Sequence, residues 1–294
     1  MKPTIAIVAM GEMGAGVARA LVQHGARVIT SLAGRSRASA ERAAKAGVEI
    51  VAEDRLLVAD ADFVLSVVPP CQARQFAGRV LRLLRECGHK PVFVDCNAIS
   101  PASVREIAAP FVAEKLPFVD AGIIGAPPEA GRPGPRVYAS GPEVARLEVL
   151  RDLGLDVRAV SAAIGEASAL KMAYGGINKG LQALGAALLA AAVRHGVGPA
   201  LLEEMQDSQP AVLSLLTRFL PGMYAKAYRW AGEMEEVARF LEPQAGASEM
   251  FLGAAHLYTE IAREHSTGPA GGLLALLDGF LRESVEAASS HRNL

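Results

Sequence analysis

"IVAMGEMGAG", residues 7–16, drives an apolar run straight into three glycines. Together with Thr4, Ile5 and Ala6 the run is short, continuous and rich in β-branched residues, the pattern of a strand buried on both faces. From Gly14 to Gly25 the spacing turns helical, with Val17, Leu21 and Val22 on one side. A strand, a glycine turn and a helix N-terminus together make an anion site. Backbone N–H groups and the positive end of the helix dipole point at the phosphates of a dinucleotide. The turn reads Ala9-x-Gly11-x-x-Gly14. Gly11 lets the backbone approach the pyrophosphate, and Gly14 lets the helix pack close to the strand. Ala9 stands where a tight-turn glycine is usual, which a negative φ would allow. A plain glycine-rich βα turn would read much the same. Its place on the first strand of a βαβ series favours a cofactor site made by Ala9, Gly11, Glu12, Met13 and Gly14.

About twenty residues on, an NAD site usually carries an acidic residue for the ribose hydroxyls. Here the chain has Gly34, Arg35, Ser36 and Arg37. Two guanidinium groups and a hydroxyl suit a 2′-phosphate, which an aspartate would repel. The expected cofactor is therefore NADP, with NAD as the alternative. The plainer reading is that these charges begin an exposed helix.

The alternation continues outward. Strands are predicted at 27–31, 48–51, 62–68, 91–95 and 116–120, with helices at 36–46 and 71–86 and a last strand–helix–strand group over 136–160. Repeated β-α-β units with right-handed crossovers predict an α/β fold, a Rossmann-type doubly wound parallel sheet. After residue 160 the strand signals stop. "GEASALKMAYGGINKGLQALGAALLAAAVRHGVG" (165–198) reads as one long helix over about 166–195, of order 45 Å. The remaining segments are helical, punctuated by Pro210, Pro221, Pro243 and Pro269. The expected organisation is a cofactor-binding domain over 1–160 and an all-helical C-terminal domain over 161–294.

A net charge of −1 over 294 residues excludes a general nucleic-acid binder, which needs a basic surface. Three cysteines without metal spacing fit a reduced compartment, and the six histidines form no ligand pattern, so no metal is expected. The most apolar later stretch, residues 181–193, is too short to span a bilayer and contains Gln182. A soluble, cytoplasmic protein acting on a small molecule, with no membrane partner, is the expectation. "EMEEVARF" (233–240) reads as a solvated helix face, and "MYAKAYRW" (223–230) as core or pocket wall.

With these residues placed, the chain resembles the β-hydroxyacid dehydrogenases, the family of 3-hydroxyisobutyrate and 6-phosphogluconate dehydrogenases, in a branch with a divergent helical C-terminal domain. "GEMGAGVARAL" (11–21) is similar to the family's cofactor turn and helix. "SVVPP" (66–70) is similar to its strand end and proline turn, which puts Val68 and Pro69 beside the nicotinamide ribose. "VDCNAISP" (94–101) stands where the family has Asp-x-Ser-Thr-x-x-Pro, and "VDAGIIGAPP" (119–128) where it has Asp-Ala-Pro-Val-Ser-Gly-Gly. "GEASALKMAYGGINKG" (165–180) sets Lys171 on the family's catalytic lysine. The chain also departs from the pattern. Asn97-Ala98 replaces Ser-Thr, Ile124 replaces the serine that in relatives helps hold the substrate carboxylate, Ala126 replaces the second glycine, and Tyr174-Gly175 replaces an Asn-Asn pair.

The resemblance implies an oxidoreductase that moves a hydride between NAD(P) and a β-hydroxy acid or related alcohol or carbonyl compound. Lys171 would be the general acid/base, a role that burial assists by lowering a lysine's pKa. Lys171, Gly175, Asn178 and Gln182 lie at i, i+4, i+7 and i+11 on one helix face, whereas Lys179 lies off it. On spacing alone both lysines would read as ordinary exposed residues, and the family match singles out Lys171. Asn97, Gly122, Ile123, Ile124, Gly125, Tyr174, Gly175 and Asn178 would line the substrate, with Asn97 also near the cofactor. The loop 125–136 would bring Arg132 or Arg136 to an anionic substrate. Relatives of this kind are usually dimers or tetramers, which implies a homodimer. Two other readings remain: an imine reductase, and a non-catalytic NADP(H)-binding sensor or scaffold.

Overall fold

The computed structural model describes residues 2–129, 134–268 and 272–290. The chain divides into two compact units, Met1–Ala173 and Tyr174–Leu294.

The first unit runs β1 (Thr4–Val8), α1 (Glu12–Gln23), β2 (Arg27–Ser31), α2 (Arg37–Lys45), β3 (Glu49–Val51), α3 (Asp54–Ala59), β4 (Phe63–Ser66), α4 (Pro70–Glu86), β5 (Val92–Asp95), α5 (Pro101–Ala113), β6 (Phe118–Ile124), β7 (Arg136–Ser140) and β8 (Asp156–Ser161). The strands form one sheet in the order β3-β2-β1-β4-β5-β6-β7-β8. The order reverses between β1 and β4, the crevice where doubly wound sheets bind dinucleotides. Strand side chains alternate between two cores, as the pleat requires. Ile5, Ile7, Phe63, Leu65, Val92, Val94, Val119 and Ala121 pack on the α1 side with Val17 and Leu21. Ala6, Val8, Val64, Phe93 and Phe118 pack on the side of α4 and α5. There Phe93 stacks at 5.0 Å from Phe111 and 5.6 Å from Phe118.

The structure corrects the expected sheet in three places. β7 pairs antiparallel with β6, Ile124 against Arg136, so the sheet is mostly but not wholly parallel. The predicted helix between the last two strands is a 3-10 segment, Val144–Leu150. Helices α3 and α5 occupy stretches left without a helix. The first is six residues long, too short to express a period, and the second carries Pro101 and Pro110, which read as breaks.

A long helix, α6 (Glu166–Arg194), begins in the first unit and continues into the second. The second unit adds α7 (Gly198–Ser208), α8 (Pro210–Met223), α9 (Ala227–Phe240), α10 (Ala245–Thr267) and α11 (Leu273–Ser290). Its core includes Leu216, Leu220, Met223, Met234, Tyr258, Leu277 and Phe280. Lys179 is not an ordinary exposed lysine. Its ammonium pairs with Glu233 at 2.5 Å and lies 5.4 Å from the Trp230 ring centroid, while its carbonyl accepts the Tyr258 hydroxyl at 2.6 Å. Glu233 therefore leaves the solvated face expected for residues 233–240. By length and composition α6 could cross a membrane. The same helix carries the Lys179–Glu233 ion pair and a buried Gln182, and it leaves Ile177, Leu184 and Leu188 exposed.

Candidate active site

The site begins at the carboxyl edge of the sheet. One register row crosses it: Val8 pairs with Ser66, Ser66 with Asp95, Asp95 with Asp120, and Asp120 with Ser140. Each strand that ends here delivers its next few residues to the same edge.

After β1 the chain turns through Ala9, Met10 and Gly11 into α1. Gly11 is the helix N-cap, without a side-chain cap, and the space where its Cβ would lie is open. A Cβ on Gly14 would collide with the carbonyl oxygen of Ala9, so Gly14 is required by the close approach of helix and strand. Among the described residues Lys115 is the only non-glycine with a positive φ, so Ala9 needs no glycine conformation. The turn is braced from outside. The Met10 carbonyl accepts from Arg42 Nε at 2.8 Å, and the Ile7 carbonyl accepts from the Thr30 hydroxyl at 2.7 Å. The uncapped helix start and the open face at Gly11 fit a dinucleotide pyrophosphate.

After β2, Gly34 takes a φ of +69°, a conformation that favours glycine. It turns half-buried Arg35 toward α4, where Arg35 Nη1 donates to Gln72 Oε1 at 3.3 Å. Burial pushes the Arg35 pKa down, and the neighbouring Arg79 pushes it down further, against the pull of Asp54. Arg79 is held by Asp54 at 2.9 Å. Two guanidinium groups that repel one another form a place where an added anion is favourable. Ser36 and Arg37 are partly committed elsewhere. The Ser36 hydroxyl accepts from the Ser39 N–H as the cap of α2, and Arg37 pairs with Glu41 at 2.9 Å.

After β4, Val67 and Val68 lead into Pro69 and α4. Asn97, 2% exposed, holds this turn from the end of β5. Its Oδ1 accepts from the Val68 N–H at 2.7 Å and its Nδ2 donates to Ser66 Oγ at 2.9 Å. Both polar ends of the Asn97 side chain thus meet protein at the turn after β4. Asp95, just before it, is buried. One carboxylate oxygen accepts from the Asn97 N–H at 3.0 Å, and the other has no hydrogen-bond partner among the described residues. Burial, with the Asp120 charge adding to it, raises the Asp95 pKa to about 7, against the lowering effect of Asn97.

After β5 and α5, β6 brings Gly122, Ile123 and Ile124 to the edge, all buried, with Gly125 exposed at a φ of +129°. Lys171, on the second turn of α6, donates from Nζ to the Ile123 carbonyl at 2.5 Å. A Cβ on Gly122 would lie 2.9 Å from the Lys171 Cβ and 3.1 Å from the Ala167 carbonyl, so Gly122 lets α6 close onto β6. The chain then leaves Gly125 across α1. A Cβ on Gly16 would meet Pro128 at 2.7 Å, and Arg19 Nη2 donates to the Pro128 carbonyl at 2.9 Å. Arg132 lies outside the described residues. Arg136 begins β7 and sits 3.9 Å from Asp156.

In the second unit Tyr174 is 51% exposed, and its carbonyl accepts from Asn178 Nδ2 at 3.1 Å. Gly175 is buried, and a Cβ there would meet only Lys179 Nζ, at 3.8 Å. The sequence reading missed Asp95, Asp120, Gln72 and Arg79 as members of this edge. Asp95 and Asp120 had one visible signal, a charged residue closing an apolar strand run. Gln72 and Arg79 had none. Among the described residues, no group of three or more histidine, cysteine or acidic side chains is placed to hold a metal ion.

Comparison with known proteins follows the same division. The family described as the NAD binding domain of 6-phosphogluconate dehydrogenase matches residues 4–154, and a domain of unknown function (DUF1932) matches residues 192–261. An uncharacterized 28.5 kDa protein in the 7S RNA 5′ region of Methanothermus fervidus is 26% identical over 238 residues, 81% of this chain and 90% of that protein. The solved structure of the conserved protein MTH1747, of unknown function and described as similar to 3-hydroxyacid dehydrogenases, shares 29% identity. Its TM-score is 0.65, over 91% of this chain and 100% of that one. The Mycobacterium tuberculosis 3-hydroxyisobutyrate dehydrogenase with L-serine shares the fold, at a TM-score of 0.70 and 18% identity over 94% of this chain and 99% of that one.

Proposed function

This chain belongs to the family described as the NAD binding domain of 6-phosphogluconate dehydrogenase, and from that premise we propose an NADP-dependent oxidoreductase. Its substrate is a β-hydroxy acid or a related alcohol or carbonyl compound, and Lys171 is the general acid/base. The observation that carries this reading is the position of the Lys171 ammonium. It is fixed on the Ile123 carbonyl at the carboxyl edge of the same sheet whose first strand opens into the glycine turn.

Gly11, Met13 and Gly14 would hold the pyrophosphate, Val68 and Pro69 the ribose beside the nicotinamide, and Arg35 with Arg79 the 2′-phosphate. The nicotinamide ring, when bound, supplies the hydride acceptor or donor. The protein's own part is proton handling and orientation. In oxidation Lys171 takes the proton of the substrate hydroxyl, and in reduction it returns a proton to the carbonyl oxygen. Asn97 keeps the Val68 turn in place through its two hydrogen bonds. Ile124 puts an apolar side chain in place of a carboxylate-holding serine, which favours a substrate with a less polar or differently anchored acid end. The reading includes a cytoplasmic homodimer, supported by the apolar side chains that α6 leaves exposed: Ile177, Leu184 and Leu188.

The test is NADPH formation at mildly alkaline pH with a panel of β-hydroxy acids and related alcohols, NAD beside NADP. Turnover on a panel member, faster with NADP, is the expected result. No turnover on the whole panel with tight NADPH binding retained would move the reading to imine reduction or cofactor sensing.

A further inference from the structure

We infer that Asp120 is a positioning residue that sets Lys171 at its working place by capping helix α6 from the neighbouring strand. The inference rests on the acid/base reading of Lys171. The start of α6 has no cap of its own, because the residue before Glu166 is Gly165, which has no side chain. The first N–H groups of a helix lack intrahelical acceptors and cost free energy if buried without partners. β6 and β7 provide those partners. Asp120 is fully buried, and its Oδ2 accepts from the Gly165 N–H at 2.9 Å, the Ser168 N–H at 3.0 Å and the Ser140 hydroxyl at 2.9 Å. Its Oδ1 accepts from the Ser168 hydroxyl at 2.6 Å. Ser140 Oγ completes the cap by accepting from the Ala167 N–H at 3.0 Å. A carboxylate at a helix N-terminus is also favoured by the helix dipole.

Three nearby positions of one strand therefore fix the first turns of α6. Asp120 sets the helix start along its axis, and Gly122 sets its distance from the sheet. The Ile123 carbonyl receives the amine of Lys171, one turn beyond the capped Ser168. Because the cap and the acceptor are on the same strand, a slip of the helix start carries the amine off its acceptor. This arrangement differs from a purely stabilising cap, which would leave the reactivity of one lysine unchanged.

The experiment is trace acetylation of the full chain with acetic anhydride, read by peptide mass spectrometry. The rate at Lys171 is divided by that at exposed Lys115 in the same molecules, over a range of pH. Asp120→Asn is expected to raise the ratio about tenfold, the weight of roughly one charge-assisted hydrogen bond. It should also displace the pH–rate curve of Lys171 while leaving that of Lys115 in place. Ser168→Ala, which removes one of the four bonds, and Gly122→Ala, which keeps the cap but displaces the lysine stem, should raise the ratio as well. NADPH binding reports that each variant is folded. If Asp120→Asn does not fold, the other two variants carry the test. An unchanged Lys171 ratio in folded variants, or an equal rise at Lys115, overturns the inference. The labelling needs no substrate, so its outcome is separate from whether Lys171 carries out proton transfer, which the turnover of Lys171→Met reads.

Discussion

Replacing Asp95 with asparagine should remove a pH dependence of stability that the buried carboxyl imposes on the first unit. Asp95 begins from an ordinary value of 3.8 in the unfolded chain and reaches about 7 in the fold, because burial disfavours its charged form and Asp120 stands beside it. Below pH 3.8 the group is protonated in both states and adds no pH dependence. Between the two values the fold keeps a proton that the unfolded chain has released, so stability falls as pH rises. Above about 7 both states are ionised and the loss is complete. Each pH unit in this window costs about 1.4 kcal/mol, so from pH 4.5 to 7 the loss is about 3 kcal/mol, an order-of-magnitude figure. Asparagine keeps an oxygen for the Asn97 N–H and cannot ionise. Urea unfolding of wild type and Asp95→Asn, followed by circular dichroism across this range, isolates the group, since every other carboxylate is common to both proteins. Amide exchange of the β5 residues gives a local reading of the same effect. The variant should gain on wild type by about 3 kcal/mol between pH 4.5 and 7. Parallel stability curves would refute the reasoning and mean that Asp95 is ionised in the fold at neutral pH.

Arg35→Ala should weaken NADPH binding roughly tenfold to a hundredfold while leaving NADH binding nearly unchanged, the weight of a charge-assisted bond to a phosphate. Equal losses for both cofactors, measured by fluorescence titration, would count against a 2′-phosphate site. Gly14→Ala drives a methyl group into the Ala9 carbonyl, so the turn must open. Dinucleotide binding should be lost, and a wild-type titration from a folded variant would contradict the assigned role of the turn. Leu184→Glu places a charge on the exposed apolar side of α6, and light scattering should record a homodimer for wild type and a monomer for the variant. A monomeric wild type at micromolar concentration would end the dimer proposal.

Much of the first unit is legible because its strands are unusually plain. "RVITS" holds three β-branched residues in a row and "PVFVD" three apolar ones, and the observed β2 and β5 fall on them within a residue. The glycine turn is legible because its chemistry is local, requiring a strand, two glycines and a helix in immediate succession. What lay beyond reading depends on contacts distant in sequence. The antiparallel pairing of β7 is set by where the chain returns after residue 134, and no local pattern records that. Pro110 reads as a helix break, yet it sits near the end of α5, where burial of Val104, Ile107, Ala108 and Phe111 outweighs the lost hydrogen bond. In the candidate site, Lys171 was legible only through resemblance. Asp120 stood in the same quoted motif but its role was hidden, because the three residues that make its four hydrogen bonds lie 20 to 48 residues away. Arg79 was hidden for the same reason, since nothing local ties α4 to the turn after β2.

The account depends most on one lysine. Once a substrate is found in the panel, the measurement is its NADP-dependent oxidation by wild type and Lys171→Met, with the NADPH dissociation constant of each. The account predicts a fall in turnover of about a thousandfold, the usual weight of a positioned acid/base, with NADPH affinity held within about twofold because Lys171 is not assigned to cofactor binding. Turnover retained by Lys171→Met with cofactor binding unchanged would contradict it, and would place the proton transfer on another group.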